Sequence, residues 1–427
     1  MTVKTNTDTN GDDAMSIESG EKELRVRGHK LSLTCLCIDS TESFIYTGSK
    51  DGSLVKWCAE TRKVLHKVKS ITKLAAQDKA KAQEHHTRHI NAIAISSNDK
   101  FLATGGWDKL IRIWSPDDLS LIHTFKMHRS EVTALAFRKS HPTLYSGSSD
   151  KSVIIWTLED DDNRCMVEAL YGHESTVTSL DALEKERILS GGGRDQSIRV
   201  WKIVEQAQSV FESTQQSVDV VRYLDNKTFV SGGEDGSIRL WTTMKRTPLF
   251  VVENAHKKEE DKTQNGSTST ELRCWISSLA THLYQSGKQP KSKKAKSKEP
   301  KSRPVKKIKL GSDSDSYDTA DEVLPTSHDR ADESDASVDD ETTVDGTFAL
   351  VASGSCDSFV RIWKVNKSGS KFTMHLHRSI ECPGFVNDLR FNRSGDKLFA
   401  ACGQEHKFGR WWKIKGPLNR VRILEGF

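Results

Sequence analysis

The chain has 427 residues, 35% hydrophobic and 29% charged, with a formal net charge of +5. That composition supports a large folded core, and its basicity is too mild to argue for nucleic acid by itself. Eight cysteines, at 35, 37, 58, 165, 274, 356, 382 and 402, form no CxxC pair. With no apolar leader and no run of 18 apolar residues, they point to a reducing intracellular setting and away from a membrane span.

Residues 1–20 are rich in Thr, Asn, Asp, Ser and Gly and cannot bury a core, so a disordered tail is expected. Residues 23–29 (ELRVRGH) alternate polar and apolar, as a strand does. From there an Asp recurs with a Trp six positions on: Asp51 and Trp57, Asp108 and Trp114, Asp150 and Trp156, Asp195 and Trp201, Asp235 and Trp241, Asp357 and Trp363. A degenerate copy pairs Glu405 with Trp411. Successive copies lie 57, 42, 45, 40, 122 and 48 residues apart. Most steps match the roughly 40 to 45 residues of a four-stranded propeller blade, so seven copies predict a seven-bladed, all-β ring over 21–427. A hydroxyl residue stands four positions before the Asp in five copies (Thr47, Thr104, Ser146, Ser231, Ser353), and Ser190 stands five before Asp195. Upstream lie His29, His89, His128 and His173, with His256 serving the sixth copy across a long insertion.

These residues resemble the WD40 family. The resemblance implies that His, Ser/Thr, Asp and Trp form a hydrogen-bonded structural tetrad in a blade, and that the strand near residue 23 completes the last blade. On that reading the His and Asp residues are structural. Arg112, Arg199, Arg239 and Arg361, which share one place in their repeats, read as lateral surface residues.

Two segments break the rhythm. Residues 67–86 form a basic insertion in which His85, His86 and His89 read as a solvated loop, so no metal is expected. Residues 285–346 form a long insertion in the sixth blade. From Lys288 to Lys309 it holds eleven Lys or Arg, and from Asp313 to Asp345 thirteen Asp or Glu. Such charge blocks repel themselves and stay disordered. The basic half, with Lys293, Lys294, Lys296, Lys306, Lys307 and Lys309, resembles a bipartite nuclear-import signal. The acidic, Ser-rich half suits an acidophilic kinase.

Several stretches, above all the C-terminal GQEHKFGRWWKIK, resemble the WD40 subunits of the U3 small nucleolar ribonucleoprotein. The resemblance implies a non-enzymatic nucleolar subunit. It would bind the box B/C region of U3 small nucleolar RNA beside a kink-turn-binding protein and other U3 and small-subunit processome proteins. The particle would act in pre-rRNA processing toward the small ribosomal subunit. Such proteins carry a long charged N-terminal extension; here the basic tract sits in the sixth-blade insertion. A generic nuclear protein scaffold stays open as the alternative. The Trp-Asp-x-Arg/Lys signature of ubiquitin-ligase receptors is missing, and no P-loop, nucleophile elbow or zinc-ligand spacing occurs. Neither catalysis, a cofactor nor a small-molecule substrate is expected.

Candidate RNA contacts follow from position and chemistry. The residue before each repeat Asp faces one rim of a propeller, which singles out Lys50, Trp107 and Arg194. Lysine and arginine meet phosphates, arginine also grips an oxygen pair, and tryptophan stacks on an unpaired base. Arg194 leads because the preceding glycines leave the backbone open to close approach. Lys30 and Arg129 follow the turn histidines. His406, Lys407, Arg410 and Trp412 form a basic, aromatic cluster in the last copy.

Overall fold

A computed structural model describes residues 22–24, 29–70, 85–159, 164–213, 216–258, 272–284, 347–369, 371–409, 413–414, 416 and 419–427. The expected tail, the 285–346 insertion with its six import-signal lysines, Arg410, Trp411 and Trp412 lie outside the described residues.

Seven four-stranded antiparallel sheets make the blades of a β-propeller. Blade 1 runs outward from the axis through Leu33–Ile38, Phe44–Ser49, Leu54–Cys58 and Val64–Val68. The same order repeats over 90–125, 132–170, 177–212, 218–252 and 276–381. In blade 7, Lys22–Leu24 is the outermost strand and pairs with Arg420–Glu425, Leu24 opposite Val421. Closure by an N-terminal strand leaves neither end of the ring as an open sheet. The third strand of blade 7 is Arg420–Glu425, so the copy from Glu405 to Trp411 precedes that strand and does not form it. Glu405 instead pairs with Lys413 in an isolated bridge.

The core lies in the seams between blades, because a sheet buried on both faces must pack against its neighbours. Each seam has its own apolar cluster. Ala103, Ile111, Val132 and Leu135 fill that between blades 2 and 3, and Leu33, Val55 and Trp57 meet Phe399 and Val421 where the ring closes. Glycine recurs at one place in the second strands for the same reason. A Cβ on Gly147 would come 2.7 Å from the Val177 side chain that opens the next blade.

A belt of polar residues on the innermost strands ties the blades together. Thr34 donates to the Ile90 carbonyl (2.5 Å), Asn91 to Val132 (3.0 Å), Thr133 to Val177 and Thr178 to Val218 (2.6 Å). Ser277 donates to Val386 (2.6 Å) and Asn387 to Leu33 (2.6 Å), which completes the circuit. Blade 5 carries Asp219 at the equivalent place, and an ionised carboxylate has no hydrogen to donate. Its counterpart acceptor would be Ile276.

Candidate nucleic-acid interface

The Asp turns and the histidines that reach them share one rim. In blade 1, Trp57 Nε1 donates to Thr47 Oγ1 (2.8 Å), His29 Nε2 lies 2.8 Å from that oxygen, and the ring's other nitrogen is 3.8 Å from Asp51. Blade 3 links Trp156, Ser146, His128 and Asp150 at 2.8, 2.7 and 2.9 Å. In blade 4, Trp201, Ser190, His173 and Asp195 are joined at 2.8, 2.7 and 2.8 Å, so Ser190 fills the hydroxyl place despite its offset. Blade 6 joins Trp363, Ser353, His256 and Asp357 at 2.9, 2.8 and 2.9 Å, although His256 and Asp357 are 101 residues apart.

Blade 2 corrects the sequence reading. The histidine is His86, not His89: its Nε2 is 2.7 Å from Thr104 Oγ1, its Nδ1 is 3.0 Å from Asp108, and Trp114 donates to Thr104 at 2.7 Å. The spacing carried the signal. His29, His128 and His173 each stand 22 residues before their Asp, as does His86, whereas His89 stands 19 before. His86 is therefore buried and no solvated loop residue. Burial pushes its imidazole pKa down despite Asp108, which keeps the ring neutral.

Three repeat arginines are likewise not lateral surface residues. Arg112 is 0% exposed and donates to Asp108 (2.8 Å). Arg239 lies 3.0 Å from Asp235 in blade 5, where no histidine precedes the Asp and Trp241 still donates to Ser231 (2.9 Å). Arg361 pairs with Asp357. An arginine four residues after the turn Asp folds back onto the carboxylate because a buried charge must be met. Burial alone would raise the Asp108 pKa, but His86 and Arg112 outweigh it and hold the carboxyl well below its usual range. Arg199 turns the other way and donates to Gln208 (2.8 Å).

The RNA candidates divide. Lys50 is only 2% exposed; its Nζ pairs with Glu405 (3.1 Å) and donates to the Gly409 carbonyl. It locks blade 1 to blade 7 and cannot meet a phosphate at the surface. Arg194, Lys30 and Arg129 are exposed. The backbone N–H groups of Lys30 and Arg129 donate to Asp51 and Asp150 at 2.7 and 2.9 Å, which leaves their side chains to solvent. Trp107 is half-buried, its ring 4.8 Å from that of His89, and its Nε1 has no protein partner among the described residues. Gly192 serves the tetrad and not an open backbone: a Cβ there would run into Asp195 and His173.

His406 packs among Trp275, Phe385 and Phe408, and burial beside Lys407 and Lys50 pushes its pKa down to about 3. Lys407 lines the axial channel with Asp388, Arg222 and Arg390, where burial lowers its pKa against the pull of Asp388. Neither belongs to the exposed rim.

Sequence reasoning missed two lysines. Lys109 and Lys151 are exposed and follow their turn Asp with φ of 68° and 72°, where blades 1 and 5 have Gly52 and Gly236. A side chain in that left-handed region costs about 1–2 kcal/mol, and such strain gathers at functional sites. Lys109 Nζ donates to the Arg129 carbonyl at 2.8 Å, so the basic residues of blades 2 and 3 adjoin.

The propeller and its tetrads define a WD40 protein, and a family model described as WD domain, G-beta repeat matches residues 20–58, 79–115, 119–157, 164–202 and 207–242. Within that class the chain belongs to the family of U3 small nucleolar RNA-interacting protein 2. It is 35% identical to the human member over 403 residues, covering 94% of this chain and 68% of that protein. It is 28% identical to the U3 snoRNP-associated protein-like EMB2271 of Arabidopsis thaliana, over 95% of this chain and 71% of that one. The crystal structure of RRP9 WD40 repeats superposes with a TM-score of 0.71 at 34% identity, covering 95% of this chain and 97% of that one.

Proposed function

We propose that the protein is a non-catalytic subunit of the U3 small nucleolar ribonucleoprotein, located in the nucleolus and acting in pre-rRNA processing toward the small ribosomal subunit. Its tetrad rim binds U3 small nucleolar RNA at the box B/C region, beside a kink-turn-binding protein and other U3 and small-subunit processome proteins. The observation that carries this reading is the likeness along nearly the whole chain to proteins named for U3 interaction. The rim supplies the chemistry: exposed Arg194, Arg129, Lys30, Lys109 and Lys151 for phosphates, and Trp107 for a base. The tetrads consume the His and Asp residues that could otherwise suggest catalysis.

Arg194→Ala is expected to weaken U3 RNA binding by roughly 1–3 kcal/mol, the worth of a bidentate arginine contact. Titration of labelled box B/C RNA with the folded variant measures it. Unchanged affinity would remove Arg194 from the interface.

A further inference from the structure

Blade 6 is built longer than its ring neighbours. Its third and fourth strands, Phe359–Ser368 and Lys371–Glu381, have 10 and 11 residues, whereas the third strands of the other blades have 4 to 6. The tetrad Trp363 marks where the other third strands end or nearly end. Residues 364–368 therefore overhang by about 17 Å at 3.3 Å per residue. The third strand leaves the Asp turn and runs away from it, so the overhang projects at the end of the ring opposite the tetrad rim.

Little of it serves the core. On the outer strand only Met374 and Ile380 are buried, while Lys371, His375, Leu376, His377 and Arg378 are exposed. No acidic residue occurs between Asp357 and Glu381, yet Arg361, Lys364, Lys367, Lys371 and Arg378 do. Arg361 is taken by Asp357 and Arg378 by the Gly426 carbonyl (2.5 Å). Lys364 lies opposite His375, and Ser368 opposite Lys371, so cations gather with no counter-charge on their own hairpin.

Aromatic rings continue the same face. Across the sheet, His282 pairs with Leu350, Leu350 with Lys364, and Lys364 with His375. His282 packs edge-on against Tyr284 (5.2 Å) and lies 6.1 Å from Phe391 of blade 7. Lysines on an edge strand discourage strand-to-strand association. That accounts for Lys371 but not for half-exposed rings in line with Lys364. A basic track beside aromatic platforms is the combination that binds single-stranded nucleic acid without reading its sequence.

We propose that this blade 6 hairpin is a second RNA-contacting surface, taking the phosphate backbone of a single-stranded segment on Lys364, Lys371 and His375 with His282 and Tyr284 as stacking platforms. It is distinct from the rim and does not depend on it.

The test uses the full chain and labelled polyuridylate, with affinity measured across a salt series. Each phosphate contact contributes about 0.7 to the slope of log affinity against log salt for single strands. The variant Lys364→Gln/Lys371→Gln is expected to lower that slope by about 1.4 while leaving the thermal midpoint unchanged. Tyr284→Leu is expected to weaken binding several-fold with little change in slope. An unaltered slope and affinity in the folded double variant would overturn the proposal and leave the rim reading intact. So would equal binding of a polyglutamate peptide, which would mark a surface for acidic protein. Loss with the hairpin variant, while Arg194→Ala leaves box B/C RNA binding intact, would sustain this surface and sink the rim assignment.

Discussion

Asp108→Ala is expected to cost about 3–5 kcal/mol of folding stability, the penalty for leaving a buried charge without its partner. The partner is Arg112, which is fully buried and held by Asp108 at 2.8 Å, with His86 2.9 Å from the same nitrogen. Blade 3 is the internal comparison. Asp150 makes the same turn and meets His128 at 2.9 Å, but Ile154 stands where blade 2 has its arginine. Asp150→Ala should therefore lose only hydrogen bonds, about 1–3 kcal/mol. Urea unfolding of both variants measures the difference, read from midpoints at constant slope. Equal losses would show that Asp108 does not hold the Arg112 charge.

Asp219→Asn is expected to stabilise the ring at neutral pH by about 1–3 kcal/mol, because it restores a donor at the one belt position that lacks one. Burial raises the Asp219 pKa to about 6 from its usual 3.8; Ser217 and Lys407 oppose that rise, and Glu234 and Asp235 add to it. The sign follows from proton binding. Between the two values the folded state keeps a proton that the unfolded chain has lost. Stability from this group is thus present below the usual value and disappears as pH rises through about 6. The advantage of asparagine should be largest at pH 7 and shrink toward pH 4. Thermal midpoints of both proteins across that range test this, and a gain independent of pH would contradict it.

The blades were legible because their signal is local. Asp, Trp and the hydroxyl residue of one tetrad lie within about a dozen residues, so spacing alone exposes them. The constant interval of 22 residues would also have separated His86 from His89. What escaped the sequence acts between blades or across long separations. Nothing near Lys50 announces Glu405, 355 residues away, so a buried lock read as an exposed cation. Arg112 looked like a surface residue because strand alternation does not reveal that a guanidinium folds back onto a turn carboxylate. The belt from Thr34 to Asn387 is invisible for the same reason: each donor serves a carbonyl of the next blade. In blade 7 the paired Trp residues drew the third strand too early, whereas Arg420–Glu425, which carries no tryptophan, fills that place.

The most direct test of the central claim is crosslinking and immunoprecipitation of the tagged protein from nuclear extract, with sequencing of the bound RNA. The account predicts enrichment of U3 RNA at its box B/C region, reduced in Arg194→Ala. Intact nuclear protein with no U3 enrichment above control would contradict it and leave a WD40 scaffold that binds other partners.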